Sequence, residues 1–259
     1  MTLPDVATLF DVEGKVAMIT GATGGFGHAA AEGLAAAGAR VMLTGRSAEK
    51  LEPIARAITD SGADAAFEAG QPHEPGDVHR VVDATRQRFG GVDILITAAG
   101  TNRVHPITEF PVEEWDEVMD VNVKGTWLYC KEAGAAMVEQ GRGGRVILLS
   151  SQRGVRGLAN YTAYCPSKAA IDLLTKSLAI EWGPHRITVN AIAPNVFRTE
   201  LTQWIYDDEA AYQRFLTRTP IGRLGEPEDF IGLLLYLSSR ASDFMTGAVL
   251  AIDGGYTAT

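Results

Sequence analysis

Residues 15–38 read KVAMITGATGGFGHAAAEGLAAAG, and this stretch decides the fold. Lys15–Thr20 is a short, continuous apolar run of the kind that a strand buried on both faces requires. Three glycines follow, Gly21, Gly25 and Gly27, and then an Ala-rich segment from His28 to Gly38 whose composition favours a helix. Glycine permits a tight turn and close approach of backbone, while a helix N-terminus offers unpaired N–H groups and partial positive charge to a pyrophosphate. The same residues without a ligand make a plain strand-to-helix turn. The order strand, glycines, helix favours the dinucleotide-binding reading.

Further apolar runs repeat the pattern: RVMLT from Arg40, DILIT from Asp93, RVILLS from Arg145, ITVNAI from Ile187 and AVLAI from Ala248, with a weaker DAAFEA from Asp64. Seven strands separated by helical segments predict an α/β fold, a single-domain, Rossmann-like, doubly wound parallel sheet of about seven strands with helices on both faces. No linker, repeat or low-complexity tract divides the chain, so residues 1–259 are expected to form one domain. The stretch of about 196–224, containing TELTQWIYDDEAAYQRFL, interrupts the alternation. A helical insert there is a candidate substrate lid, because ligands of such folds bind beyond the carboxyl ends of the strands.

Composition narrows the function classes. A formal charge of -9 argues against nucleic acid and anionic membrane surfaces, both of which select concentrated Lys and Arg. Cys130 and Cys165 are far apart, and the five histidines are scattered, so neither a disulfide framework nor a metal site is predicted. The opening MTLPDVATLF lacks the features of a secretory signal, and no apolar run reaches membrane-span length. A cytoplasmic location is the expectation.

The segment from Asn160, NYTAYCPSKAAIDLLTKSLAIEW, places Tyr164 four residues before Lys168. On a helix, that spacing puts phenol and ammonium on one face. Pro166 is tolerable if the helix starts at about Ala163 or Tyr164. A neighbouring cation and the positive helix end both favour phenolate, which predicts a lowered tyrosine pKa. Such pairs are also common on ordinary amphipathic helices; a third group separates the readings. Ser151 ends the strand RVILLS, where a hydroxyl points into the ligand crevice and can hydrogen-bond a carbonyl. Ser150 is the alternative, since neighbours on a strand face opposite ways. Asn122 falls on the apolar stripe of Trp115, Val118 and Met119, where a buried amide needs partners.

The Gly-x-x-x-Gly-x-Gly spacing with Thr20 ahead of it, the AAG ending at Gly100, Asn122, Ser151, the Tyr164/Lys168 pair, Pro194 with Thr199, and AVLAIDGG from Ala248 together resemble the short-chain dehydrogenase/reductase family. Its bacterial 3-oxoacyl-carrier-protein reductase and gluconate 5-dehydrogenase-like members are the nearest in pattern. The resemblance covers nearly the whole chain. It selects Ser151 over Ser150, and implies a catalytic set of Asn122, Ser151, Tyr164 and Lys168. Tyr164 would be the general acid/base, Lys168 would hold the nicotinamide ribose and lower the tyrosine pKa, Ser151 would orient a carbonyl, and Asn122 would support a proton relay. It also implies a dinucleotide site made of Thr20, Gly21, Thr23, Gly25, Phe26, Gly27, Arg46, Ala99, Gly100, Tyr164, Lys168, Pro194, Val196 and Thr199, and a homotetramer. The implied reaction interconverts a small-molecule carbonyl and a secondary alcohol.

At the end of the second strand, LTGRS places Gly45 and Arg46 where NAD-specific relatives carry an acid. A guanidinium without a carboxylate favours a 2′-phosphate, so NADP is expected, with NAD the alternative. Thr97 replaces the family's usual Asn, Gln71-Pro72 its usual acid, and Asn195 its usual glycine. Asn tolerates positive φ, so the turn at Asn195 is expected to survive. Arg103, Arg153, Arg156 and Arg198 are candidates to ring an anionic substrate, a sugar acid or acyl thioester, against the plainer reading of solvated loops and subunit contacts. Trp204, Ile205, Tyr206, Tyr212 and Phe215 are candidates for an apolar lid or for packing. An isomerase or dehydratase on the same fold, and a non-catalytic dinucleotide sensor, remain alternatives.

Overall fold

In the computed structural model, which describes residues 5–258, the seven predicted runs form one parallel sheet. Its strands are β1 (Val16–Thr20), β2 (Arg40–Gly45), β3 (Ala65–Ala69), β4 (Ile94–Thr97), β5 (Gly144–Leu149), β6 (Ile187–Pro194) and β7 (Val249–Ile252). The order is β3-β2-β1-β4-β5-β6-β7, so the winding reverses between β1 and β4. The α-helices are α1 (Val6–Leu9), α2 (Gly25–Ala36), α3 (Ala48–Asp60), α4 (Pro75–Phe89), α5 (Val112–Met119), α6 (Thr126–Gln140), α7 (Tyr164–Trp182), α8 (Gln203–Asp207), α9 (Glu209–Leu216) and α10 (Pro227–Ser238). Among the described residues, no helix is long and apolar enough to cross a membrane.

Alternation along β1 shows why Val16–Ile19 are all apolar. Val16 and Met18 join a core with Val81, Leu128, Ile171 and Trp182 of α4, α6 and α7. Ala17 and Ile19 face the opposite core, with Leu34, Leu51, Ile58 and Phe230 of α2, α3 and α10. A strand covered on both faces favours apolar side chains and admits a polar one only where it is hydrogen-bonded, as Thr20 is to the Ala99 N–H. The central strands β1, β4 and β6 are buried throughout, whereas the edge strands β3 and β7 are only partly covered, which explains the weaker apolar signal of residues 64–69.

Helix α2 owes its small residues to close packing on α10. A Cβ at Gly33 would stand 2.8 Å from Ile231, and the Phe26 ring lies 5.2 Å from Phe230 and 5.1 Å from Phe197. These rings fix the helix that carries the glycine turn. Phe230 is fully buried, so Phe230→Ala is expected to lower stability by about 3–5 kcal/mol, read as a reduced denaturation midpoint with an unchanged denaturant slope.

Candidate active site

Above the reversal between β1 and β4 lies a cleft of about 610 Å³. Its floor is a close backbone contact. Gly21 has φ +64, and a Cβ on it would stand 2.6 Å from the Ala99 nitrogen. The Thr20 hydroxyl accepts a 3.1 Å hydrogen bond from that same Ala99 N–H. A Cβ on Gly25 would meet Thr199 Cγ2 at 2.6 Å, and one on Gly27 would collide with the Gly21 carbonyl. The glycines therefore serve two different ends: Gly21 and Gly25 keep the cleft surface thin, and Gly27 lets α2 sit under the turn.

Thr20, Gly21, Thr23, Gly25, Phe26, Arg46, Ala99, Gly100, Pro194 and Thr199 all line this cleft, as expected, together with Ser151, Tyr164 and Lys168. Gly27 and Val196 do not. Gly27 is below the turn, and Val196 is buried with Ile205 and Leu224 while its carbonyl accepts from the Gly225 N–H. Arg46 is exposed at the cleft's far end, with no ion pair or hydrogen bond to the described residues.

Helix α7 begins at Tyr164, with Ala163 at its N-cap and Pro166 in the first turn, where no helical N–H is lost. Tyr164 and Ser151 line the cleft together, and the Lys168 ammonium lies 5.6 Å from the Tyr164 ring centre. Lys168 also donates a 2.7 Å hydrogen bond to the Leu149 carbonyl. Ser150 also lines the cleft, but its hydroxyl is committed to Asp172.

The expected lowering of the tyrosine pKa is not what the protein interior produces. Burial pushes the Tyr164 phenol up to about 12, outweighing the opposing pull of its Ser151 hydrogen bond. Burial also pushes Lys168 down to about 8, with Asp172 pulling it back. Both shifts share a cause, since leaving water disfavours phenolate and ammonium alike. Tyr164 is half-buried and lines the cleft.

Asn122 sits one layer behind the cleft, on a π-helical turn (Asp120–Gly125) between α5 and α6. Its Oδ1 accepts from the Thr101 N–H at 2.8 Å, and its Nδ2 donates to the Thr101 carbonyl and to Ser167 Oγ, each at 3.0 Å. The amide thus ties the loop after β4 to α7. Of the stripe that suggested its burial, Val118 is enclosed but Trp115 is 41% exposed, because the π turn rotates the face that follows.

Comparison with known proteins follows from this geometry. Residues 21–257 match the family model described as Enoyl-(Acyl carrier protein) reductase. An uncharacterised oxidoreductase of Mycobacterium tuberculosis is 49% identical over 255 residues, covering 96% of this chain and 93% of that protein. The gluconate 5-dehydrogenase of Gluconobacter oxydans is 38% identical over 259 residues, covering 99% of each. The crystal structure of a gluconate 5-dehydrogenase from Burkholderia cenocepacia, in complex with NADP and tartrate, superposes with a TM-score of 0.95 at 32% identity, covering 98% of this chain and 100% of that one.

This chain belongs to the short-chain dehydrogenase/reductase family. As a dehydrogenase/reductase it departs from its family pattern at three places that the structure locates. Thr97 ends β4 with its hydroxyl buried and unpartnered. Pro72 lines the cleft and packs against Gly125. Asn195 also lines the cleft; it needs no positive φ, since the non-glycine residues with positive φ among those described are Asn160 and Arg186.

The predicted ring of arginines does not form. Of the four, only Arg103 lines the cleft, and it is ion-paired with Glu117 at 2.7 Å and Glu114 at 3.8 Å. Arg156 donates to the Tyr256 and Thr257 carbonyls, and Arg198 pairs with Glu226 and lies 4.0 Å from the Tyr206 ring centre. Arg153 is buried, 5.9 Å from the Tyr256 ring centre. Their sequence neighbourhood suggested the cleft, but long side chains at these turns reach the C-terminal segment and the insert instead.

Tyr129 and Thr44 are cleft residues that the sequence reading missed. The two hydroxyls are 3.4 Å apart, and burial pushes the Tyr129 phenol up to about 12. A tyrosine on the buried face of α6 was the available signal.

Because Asn122 satisfies three groups at once, Asn122→Leu is expected to lower stability by about 2–4 kcal/mol, against about 1 kcal/mol for Ser167→Ala. Thermal denaturation of the two variants checks the ratio.

Proposed function

We propose that this protein interconverts a ketone and a secondary alcohol of a sugar-acid substrate, using NADP(H). The observation that carries the reading is one cleft lined by Ser151, Tyr164 and Lys168 together and also by Arg46, which has no ion pair or hydrogen bond among the described residues. The residues present fit a dinucleotide: Gly21, Gly24 and Gly25 line the cleft with main chain alone, and the first-turn N–H groups of α2 open onto it. Gly21, Thr23, Gly25 and Phe26 would hold the pyrophosphate end, Arg46 the 2′-phosphate, and Lys168, Pro194 and Thr199 the nicotinamide end. When bound, the nicotinamide supplies or accepts the hydride.

In reduction, Tyr164 donates its proton to the carbonyl oxygen while the Ser151 hydroxyl hydrogen-bonds that oxygen. A phenol held up at about 12 is fully protonated at neutral pH, as a general acid must be. In oxidation the phenolate oxygen accepts the alcohol proton and becomes the neutral phenol, and a charged Lys168 stabilises the phenolate that precedes this transfer. Asn122 supports this exchange by fixing the loop and helix between which Lys168 lies. The gluconate names of relatives and the tartrate in the Burkholderia complex support an anionic, hydroxyl-rich substrate over an acyl thioester.

The insert of about 196–224 acts as the lid in this reading. Val196, Ile205, Ala211 and Leu224 form its own small core, partly covered by Tyr206, Tyr212 and Phe215, while Thr199, Glu200, Leu201 and Thr202 face the cleft. Trp204 is 51% exposed and contributes little to that core. A cytoplasmic homotetramer completes the proposal. Its support is the exposed apolar face of α6 and α7, with Trp127, Leu173 and Ile180.

A panel of gluconate, its 5-keto form and uncharged ketones, followed at the nicotinamide absorbance with each cofactor, tests the reading. Tyr164→Phe is expected to lose at least about 10²-fold in kcat/KM in both directions. A variant as active as the parent sinks the assignment, and product formation without net nicotinamide turnover favours the isomerase or dehydratase alternative. Arg46→Ala is expected to raise KM for NADPH by about 10-fold or more and to leave NADH nearly unchanged. Oxidation is expected to rise from about pH 6 toward pH 8, because phenolate becomes more available as pH climbs toward the tyrosine value.

A further inference from the structure

Asp172 lies on α7 one helical turn beyond Lys168 and is only 9% exposed. Its Oδ1 takes a short hydrogen bond from the Ser150 hydroxyl, and Ser150 Oγ also lies 3.4 Å from the Lys168 carbonyl. Its Oδ2 is enclosed without any donor. Gly154, in the turn of residues 152–154, approaches so closely that a Cβ there would collide with that oxygen. A carboxylate with one unmatched, water-excluded oxygen is costly unless an opposite charge is near.

The charges around it are few. On α7 itself, Lys168 and then Lys176 favour its ionised form, against burial, which raises its pKa. From the turn of residues 152–154 comes Arg153, which acts on Tyr164. On the π turn, Asp120 and Lys124 pair with each other at 3.7 Å near the surface. On α5, Glu114 and Glu117 are engaged with Arg103, with Glu113 and Asp116 beside them. The β5 charge, Arg145, pairs with Asp243, and β6 carries none. Asp172 and Lys168 are both buried, four residues apart on one face of α7, and at that separation the carboxylate favours the ammonium.

We propose that Asp172 is a positioning residue of the active site: anchored by Ser150, its carboxylate is the buried counter-charge that keeps Lys168 an ammonium and locks the end of β5, which carries Ser151, to the helix that carries Tyr164. This rests on the roles proposed above for Lys168 and Tyr164. A hydrogen bond alone would tie strand to helix equally well with a neutral amide. The charge matters because the buried ammonium of Lys168, one helical turn away, is already pushed down to about 8 by burial, close to working pH.

The test is the pH profile of kcat/KM for NADPH-dependent reduction, using the full chain and the ketone that the wild type turns over fastest. Losing the carboxylate disfavours the ammonium, so Asp172→Asn is expected to move the alkaline limb to lower pH by about one unit. Ser150→Ala, which leaves the carboxylate but strips its donor, is expected to move it the same way by less. A limb unmoved in whichever variant melts like the wild type, even with a reduced rate, means a purely structural contact and overturns the inference. A wild type that turns over no ketone overturns the oxidoreductase reading itself, and this inference with it.

Discussion

The structure depends on how closely two backbone turns approach each other at the centre of the sheet. The turn after β1 and the turn after β4 touch through Gly21 and Ala99, with the Thr20 hydroxyl bonded to the Ala99 N–H. No side chain fits between them. This contact sits where the winding of the sheet reverses, so the crossover helices leave to opposite faces and the cleft opens between them. The thin surface that lets a dinucleotide lie on main chain follows from the same absence of side chains.

Around that floor, burial does most of the electrostatic work. The protein excludes water from a phenol and an ammonium four residues apart, and each responds by favouring its neutral form. The hydrogen bond from Ser151 and the charge of Asp172 oppose this in part. The outcome is a tyrosine that holds its proton and a lysine poised near neutrality, an arrangement suited to proton delivery. Asn122 contributes differently, by satisfying buried groups on the loop after β4 and on α7, so that the two cannot drift apart.

The seven strands were legible because burial on both faces leaves a continuous apolar run, and β3 was faint because an edge strand is half covered. The glycine turn and the Tyr164–Lys168 pair each sit within one element, so their spacing could be read locally, whereas Ser151 stands on another element and the family resemblance chose it over Ser150. The arginines were not: a guanidinium reaches far enough from its own turn to join another element, and Arg156 and Arg198 do so. Tyr129 and Thr44 meet across 85 residues of sequence, a proximity that no local pattern encodes.

The sequence by itself determined the order of strands and helices, the conformation of the glycine turn and the faces on which the reactive side chains lie, since each of these is set by neighbours within a few positions along the chain. Only the tertiary structure decided the charge states of Tyr164 and Lys168, the commitment of Ser150 to Asp172, and which arginine reaches the cleft. Those depend on how much water the packed elements exclude, and on which charges they bring together from distant parts of the chain.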